Sequence, residues 1–294
     1  MADPTVSVVI PTYHRLAMWR DYHKLLDVIC QQEDPEFECI IVDDNSPDGT
    51  AEWLVGYFKD HSPRCRMKVC KCKLPKSSKH QVATVSSNIG IKEATGDILV
   101  HLNDDLNLST WMVSYLKSIS PVFTDAVVYG LLVFCDEGWK QLPHPEGLDS
   151  RYDKMRRKMM RPDANDLIEF PADWRMDWGA AYAVRRSALL EIGGYDLDLA
   201  GFRGADSRMG FRLRSLGLKS YLCTRYAFTA FHYGDSWYRR ARLSSSPGVI
   251  QAATRSPSMN MRPVDVKVVA NGGKTFWQSD WFNVSYSIVG QWNC

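Results

Sequence analysis

Two pairs of adjacent carboxylates are the residues of this chain whose types and spacing best suit chemistry. Asp104 and Asp105 follow directly after one apolar segment, and Asp43 and Asp44 follow directly after another. Carboxylate oxygens are the hard ligands that Mg²⁺ and Mn²⁺ prefer. In an open α/β sheet, the carboxyl ends of neighbouring strands meet at one crevice, and the ligand binds there. The two pairs therefore predict a metal-assisted nucleotide site.

Each acidic pair also has a purely structural interpretation. The segment at 43–49 has the Asp, Asn, Ser and Gly composition of a polar turn. Asp104 and Asp105 are equally compatible with a helix cap or a turn. The occurrence of both pairs at matching strand ends is what favours a functional site.

The first hundred residues predict alternating strands and helices. The predicted strands lie at 6–10, 39–42, 67–71 and 98–102, and the predicted helices at 18–31, 50–59 and 84–94. This β-α-β-α-β-α-β order predicts a parallel sheet covered by helices. The expected fold class is therefore α/β, with a single, mostly parallel, Rossmann-like sheet flanked by helices.

The second half of the chain is less regular. The predicted helices lie at 111–119, 186–192 and 206–216, and the predicted strands at 126–134, 180–184 and 219–222. An irregular insertion is expected at 135–176, and the last thirty residues show no clear period. We find no internal repeat and no separate second domain.

Composition excludes several classes of protein. With 45% hydrophobic and 24% charged residues and a net charge of +2, the chain is typical of a globular protein rather than a disordered one. Its longest apolar run is too short to cross a bilayer, and the N-terminus lacks the features of a signal peptide. The eight cysteines lack the paired spacing of a zinc site. We expect a soluble, cytoplasmic protein with free thiols.

Five segments, taken in order, resemble one known family. They read VSVVIPTYHR, CIIVDDNSPDGT, SSNIGIKEATGDILVHLNDD, GAAYAVRRSALLEIGGYD and GADSRMGFRLRSLG. In their order and spacing the chain resembles the family 2 glycosyltransferases of the GT-A fold. The resemblance implies a catalytic domain at 1–235, with a nucleotide-binding half at 1–105 and an acceptor half at 106–235. Residues 236–294 would form a C-terminal loop and extension that close the active site.

The resemblance also implies an activity. Such enzymes transfer a sugar from a nucleoside-diphosphate donor to an acceptor nucleophile, with inversion at the anomeric carbon. A divalent cation, Mn²⁺ or Mg²⁺, would stabilise the charge of the leaving diphosphate. Asp105 is the candidate metal ligand, and His232 is a second candidate whose alternative role is structural. Asn103 stands where the family commonly has the first Asp of Asp-x-Asp, so no metal role is assigned to it.

Nucleotide recognition is assigned to residues at the first two strand ends and to the first carboxylate after the fourth strand. Asp43 would accept the N3–H of uracil or thymine, which favours a UDP- or TDP-sugar, although guanine also offers N–H donors. Pro11 and Tyr13 would line the nucleobase pocket, and Arg15 would approach the pyrophosphate. Asp104 would contact the ribose or a metal-bound water.

Asp206 is the candidate general base that accepts the proton of the attacking hydroxyl. It aligns with an acidic motif in which Ala205 replaces the usual Glu, and its alternative role is to cap the following helix. The remaining donor and acceptor pocket residues are predicted to be Trp178, Gly179, Gly204, Arg239 and Arg240. The last two lie in a loop that would close over the donor.

Two other functions compete with this interpretation. A nucleotidyltransferase would carry a glycine-rich loop after the first strand, whereas residues 11–15 contain no glycine. A non-catalytic nucleotide- or glycan-binding module would lack Asp105 or Asp206, and both are present. The acceptor stays open between a glycan, a lipid-linked molecule, a protein and a nucleic acid that carries a hydroxylated base. The nucleic acid is suggested by basic clusters at 151–161 and 239–242 with interleaved aromatic residues.

Overall fold

The computed structural model describes residues 5–18, 22–73, 83–135, 163–169, 180–195, 205–233 and 286–292. Its strands are β1 Val6–Thr12, β2 Phe37–Asp43, β3 Arg66–Cys72, β4 Ile98–Leu102, β5 Leu106–Asn107, β6 Ala126–Cys135, β7 Leu167–Glu169, β8 Ala181–Arg185, β9 Lys219–Cys223, β10 Thr229–Tyr233 and β11 Tyr286–Trp292. Its helices are α1 Arg15–Met18, α2 Tyr22–Cys30, α3 Thr50–His61, α4 Ala83–Glu93, α5 Met112–Ser118, α6 Arg186–Ile192 and α7 Ala205–Ser215. Short 3₁₀ helices occupy Ser120–Thr124 and Tyr226–Phe228.

The strands form one large sheet in the order β11-β3-β2-β1-β4-β8-β6-β10-β5, with β9 also paired to β6, and β7 to β9. The strands β3, β2, β1 and β4 are parallel, as the sequence predicts. Beyond β4 the sheet is mixed rather than mostly parallel, because β8 runs antiparallel to both β4 and β6. β8 begins at the carboxyl edge of β4, since Ala181 pairs with Leu102.

Helices cover both faces of the sheet and so explain the unbroken apolar strands. On one face Val8 and Ile10 of β1 pack in a core with α2, α3 and α5. On the other face Val9 packs in a second core with α4, α6 and α7. All seven residues of β1 are buried. A strand that is buried on both faces has no polar side to alternate with, so its sequence is continuously hydrophobic.

Two glycines permit close packing around β1. A Cβ built at Gly90 of α4 would lie 2.2 Å from Cγ1 of Val9, and one at Gly96 would lie 2.7 Å from Oγ of Ser7. Gly90 therefore lets α4 lie directly on β1. Gly96 follows α4 but is not among the described glycines with positive φ, so it is not a left-handed helix cap. Its role is instead the close approach to Ser7.

Four strands were not expected from the sequence. β5 is a two-residue strand just after the acidic pair that follows β4, and β7 lies inside the insertion predicted to be irregular. β10 follows the last predicted strand, and β11 lies in the C-terminal region without a period. β11 pairs antiparallel with β3, and its residues are half-buried or exposed. The described cysteines carry free thiols, as expected. None of the described helices is long and apolar enough to cross a membrane.

Candidate active site

The carboxyl ends of β1, β2 and β4 form the edge of the sheet where the predicted site residues gather. Thr12 and Asp43, the last residues of β1 and β2, are partners in the parallel register. The loops that follow are joined to each other, since the amide of Asp44 donates to the carbonyl of Thr12 at 2.9 Å. The amide of His14 donates to Oγ of Ser46 at 2.8 Å. The two loops therefore form one connected rim.

The turn after β4 holds Asp104 and Asp105 against Arg15, which comes from the loop after β1. Nε of Arg15 donates to Oδ2 of Asp104 at 2.6 Å, and its Nη2 donates to Oδ1 of the same carboxylate. Nη2 also lies 3.8 Å from Oδ2 of Asp105. Asp104 is 5% exposed, so this two-point pair is largely shielded from water. The sequence predicts Arg15 near a pyrophosphate, and the structure shows it on the carboxylate of Asp104.

His232 reaches the same turn through strand pairing. β5 and β10 are antiparallel, and His232 is the register partner of Leu106, the residue after Asp105. Nε2 of His232 consequently lies 3.3 Å from Oδ2 of Asp105. Burial alone would raise the pKa of Asp105, but His232 and Arg15 hold it below its ordinary value. Burial lowers the pKa of His232, but the Asp105 carboxylate raises it more, so the pKa of His232 lies above its ordinary value.

The surroundings of Asp105 fit a divalent cation. Its Oδ1 is buried and accepts no hydrogen bond in the described part of the chain. A carboxylate oxygen and an imidazole nitrogen are donors that Mn²⁺ accepts, whereas Mg²⁺ favours oxygen. No cluster of three His, Cys, Asp or Glu side chains with ligand geometry occurs among the described residues. Asp105 and His232 could therefore supply two ligands to such an ion.

The loop after β2 encloses its acidic pair. Asp43 is fully buried and accepts hydrogen bonds from the backbone amide and the hydroxyl of Ser46. Burial raises the pKa of Asp43, and the bonds from Ser46 oppose the rise. Asp44 is 2% exposed, and burial together with the charge of Asp43 raises its pKa to about 7. Each oxygen of Asp43 keeps a second lone pair, so it can still accept a nucleobase N–H.

The other two residues assigned to the nucleobase pocket lie at the same rim. Pro11 is buried near the end of β1, and Tyr13 is 39% exposed just beyond it. His14 adopts a left-handed backbone with φ of 56°, which turns the chain into α1. The amide of Arg15 then donates to Oγ1 of Thr50 at 3.2 Å. The exposed Tyr13 therefore follows the strand end that is joined to the acidic loop.

Asp206 lies at the same edge of the sheet. It is exposed in the first turn of α7. The chain continues from α7 into β9. The first residue of β9 pairs with the first residue of β6, at the opposite edge of the sheet. The helix therefore begins at the carboxyl edge. Burial raises the pKa of Tyr182 and Tyr195, and the charge of the Asp206 carboxylate raises both further.

Comparisons with known proteins decide the family. The sequence model described as glycosyl transferase family 2 matches residues 7–193, which is more than half of the chain. The chain belongs to glycosyl transferase family 2.

Several relatives and solved structures are similar to this family 2 chain. A validoxylamine A glucosyltransferase from Streptomyces hygroscopicus subsp. jinggangensis (strain 5008) is 24% identical over 235 residues, which cover 73% of this chain and 52% of that one. A putative polypeptide N-acetylgalactosaminyltransferase 10 from Caenorhabditis briggsae is 24% identical over 220 residues, and the match covers 71% of this chain and 33% of that one. The chain thus spans about half the length, or less, of these curated relatives.

Solved structures confirm the GT-A fold. GalNAc-T7 with UDP, GalNAc and Mn²⁺ has a TM-score of 0.56 at 18% identity, covering 78% of this chain and 43% of that one. The mannosyltransferase PcManGT from Pyrobaculum calidifontis, in complex with GDP-Man and Mn²⁺, has a TM-score of 0.53 at 19% identity, covering 91% and 68%. At these identities the similarity establishes the fold alone.

Some residues that the family resemblance assigns lie outside the described part of the structure. These are Trp178, Gly179, Gly204, Arg239 and Arg240. Their roles in the donor and acceptor pocket remain predictions.

Sequence reasoning missed a buried polar cluster under the family 2 site. The ring of His101 stacks on that of Tyr182 with centroids 5.1 Å apart, and Tyr195 lies 5.4 Å away. Oγ of Ser87 lies 3.0 Å from Nε2 of His101. A histidine inside the apolar strand β4 was the available signal, because a buried imidazole needs a polar partner.

Proposed function

We propose that this chain is a metal-dependent, inverting glycosyltransferase that moves a sugar from a nucleoside-diphosphate donor to an acceptor hydroxyl. The observation that carries the proposal is the contact between Asp105 and His232 beside the Arg15–Asp104 pair, at the sheet edge where α7 presents Asp206. The residues that we propose to bind the metal, bind the phosphates and accept the proton thus lie at one edge of the sheet. The family membership of the chain supports the same activity.

The residues have distinct tasks in such a transfer. A divalent cation held by Asp105 and His232 would neutralise the charge of the leaving diphosphate. Arg15 supplies a fixed positive charge next to that position. Asp206 accepts the proton of the acceptor hydroxyl while its oxygen bonds to the anomeric carbon and the bond to the diphosphate breaks. A single displacement from the opposite side inverts that carbon.

Donor choice is proposed from the loop after β2. Ser46 holds Asp43 at the carboxyl end of β2, and an acceptor-only carboxylate suits the N3–H of uracil or thymine. We therefore propose a UDP- or TDP-sugar. Guanine also offers N–H donors, so GDP-sugars are the alternative to be tested.

The acceptor is proposed to be a glycan. The basic clusters that suggest a nucleic-acid acceptor, at 151–161 and 239–242, lie outside the described residues. The nucleic-acid acceptor therefore remains a prediction from sequence, as do lipid-linked and protein acceptors and a cytoplasmic location.

A nucleotide panel tests the proposal. The protein is melted with UDP, TDP, GDP or CDP, each in Mn²⁺, Mg²⁺ or EDTA, because a ligand that binds the folded state raises the midpoint. We expect a metal-dependent rise with UDP or TDP that is lost in Asp105→Asn and kept in Asp60→Asn, an exposed carboxyl of α3. The absence of a rise with every nucleotide would contradict the proposal.

A further inference from the structure

The guanidinium of Arg15 already occupies the carboxylates that a metal site needs. Both oxygens of Asp104 accept from it, and its Nη2 lies 3.8 Å from Oδ2 of Asp105. The side chains of Arg15 and Asp104 are only 20% and 7% exposed. The negative charge of the turn after β4 is therefore partly neutralised by a cation that belongs to the chain itself.

This arrangement opposes the binding of a second cation. A divalent ion on Asp105 would lie within a few ångströms of the guanidinium, with little water between them to screen the repulsion. Arg15 holds both oxygens of Asp104, so the carboxylate can turn toward the ion only by breaking these bonds. His232 adds a further cost, because its Nε2 is engaged with Asp105. Without a nucleotide, the turn is poorly prepared for a metal.

A nucleoside diphosphate removes the conflict. Its phosphate oxygens supply negative charge to which a guanidinium binds as well as it binds to a carboxylate. Arg15 can then contact the phosphates, and the same phosphates complete the coordination of the ion. Metal and nucleotide would each strengthen the binding of the other, and linkage makes this effect equal in both directions.

We propose that Arg15 is a positioning residue that acts as a resident counter-cation, keeping divalent ions off Asp104 and Asp105 until a nucleoside diphosphate binds. The inference rests on the proposed function for the identity of the second ligand. It predicts two opposite effects of one substitution. Removing the charge of Arg15 strengthens the binding of metal alone and weakens the binding of nucleotide alone.

The test is a titration of the protein with Mn²⁺ alone, in which the electron paramagnetic resonance signal measures the concentration of free ion. We expect Arg15→Gln to bind Mn²⁺ about tenfold more tightly than the unmodified protein, the lower end of the effects measured for close charge pairs. UDP and GDP, titrated separately in EDTA, are expected to bind Arg15→Gln more weakly. Arg15→Lys keeps the charge and is expected to bind Mn²⁺ as weakly as the unmodified protein.

The matched control is Arg64→Gln, which removes the same charge from an exposed position before β3, at the opposite edge of the sheet. It is expected to change neither affinity. Equal or weaker Mn²⁺ binding by folded Arg15→Gln would overturn the inference. If that variant does not fold, the unmodified protein decides: UDP or GDP must tighten Mn²⁺ binding about tenfold, and no tightening overturns the inference.

The inference and the proposed function fail in different ways. Tighter Mn²⁺ binding by Arg15→Gln without any sugar transfer by the unmodified protein would support the role of Arg15 and count against the transferase. Sugar transfer by the unmodified protein, together with unchanged Mn²⁺ binding by Arg15→Gln, would support the transferase and overturn the role of Arg15.

Discussion

Single residues at the rim show how burial sets chemistry. Asp43 and Asp44 are adjacent and both buried, yet only Asp43 has its charge stabilised by bonds from Ser46. The pKa of Asp44 is raised to about 7 by burial first and by Asp43 second. The pKa of Asp44 therefore lies near neutral pH, and this has a measurable consequence for stability.

We predict that Asp44→Asn stabilises the protein at pH 8 and that the gain shrinks as the pH falls to 5. The folded pKa of Asp44 lies above its unfolded value, which is about 4. At a pH above the folded pKa, the buried carboxyl must be ionised, and this destabilises the folded state. Stability therefore rises as the pH falls from about 7 toward about 4. At pH 8 the gain is at most a few kcal/mol. Thermal melts from pH 5 to pH 8 measure it.

The control for this prediction is Asp60→Asn, an exposed carboxyl of α3 that loses the same charge. Its melting temperature is expected to follow that of the unmodified protein at every pH. A constant offset between Asp44→Asn and the unmodified protein across the range would show that Asp44 is not the titrating group.

At the scale of elements, packing of α4 on β1 and the pairing of β5 with β10 position the site. Gly90 allows the close approach of α4 to Val9, and the β5–β10 register brings His232 to Asp105. Neither feature involves a residue with unusual chemistry at the point of contact. Both depend on which backbone lies next to which.

We predict opposite effects for two glycine substitutions. Gly90→Ala places a Cβ 2.2 Å from Cγ1 of Val9 and is expected to destabilise the protein by about 1–3 kcal/mol through overpacking. Gly56→Ala, in α3, meets no atom within 4 Å and is expected to stabilise it by about 0.5–1 kcal/mol through helix propensity. Urea unfolding measures both. Equal signs would mean that the approach of α4 to β1 is not the constraint.

Sequence reasoning located the elements that are buried on both faces and missed those that are not. The apolar runs of β1, β2 and β4 identify these segments as buried strands, because each strand lies between two helical layers. β10 is short and carries His232, and β11 is a half-exposed edge strand, so neither has the period of a strand. The contact of Arg15 with Asp104 joins residues 89 positions apart, and local sequence does not encode such pairings.

At the scale of the whole molecule, the C-terminal strand β11 completes the sheet. It covers the outer edge of β3, and the Trp292 ring packs edge-on against Phe58 of α3 at 5.7 Å. The hydroxyl of Tyr286 donates to the carboxylate of Glu93 in α4. β11 therefore contacts helices on both faces as well as the strand next to it.

We predict that deleting residues 286–294 lowers the melting temperature and promotes aggregation, because the deletion exposes the backbone edge of β3. Light scattering during a thermal melt measures both effects. Val289→Thr, at a 37% exposed position of β11, serves as the control and is expected to behave like the unmodified protein. A truncated protein with an unchanged melting curve would show that β11 does not protect this edge.

The most direct test of inverting glycosyl transfer is an assay of nucleotide-sugar turnover. Release of nucleoside diphosphate measures the rate, and proton NMR identifies the sugar anomer that forms first. UDP-, TDP- and GDP-sugars are supplied with Mn²⁺, and water and simple glycans serve as acceptors. We predict release with an inverted anomer, and a loss of about 10²–10⁴-fold in Asp206→Asn, whose nucleotide affinity is unchanged. A retained anomer, or full turnover by Asp206→Asn, would contradict the account.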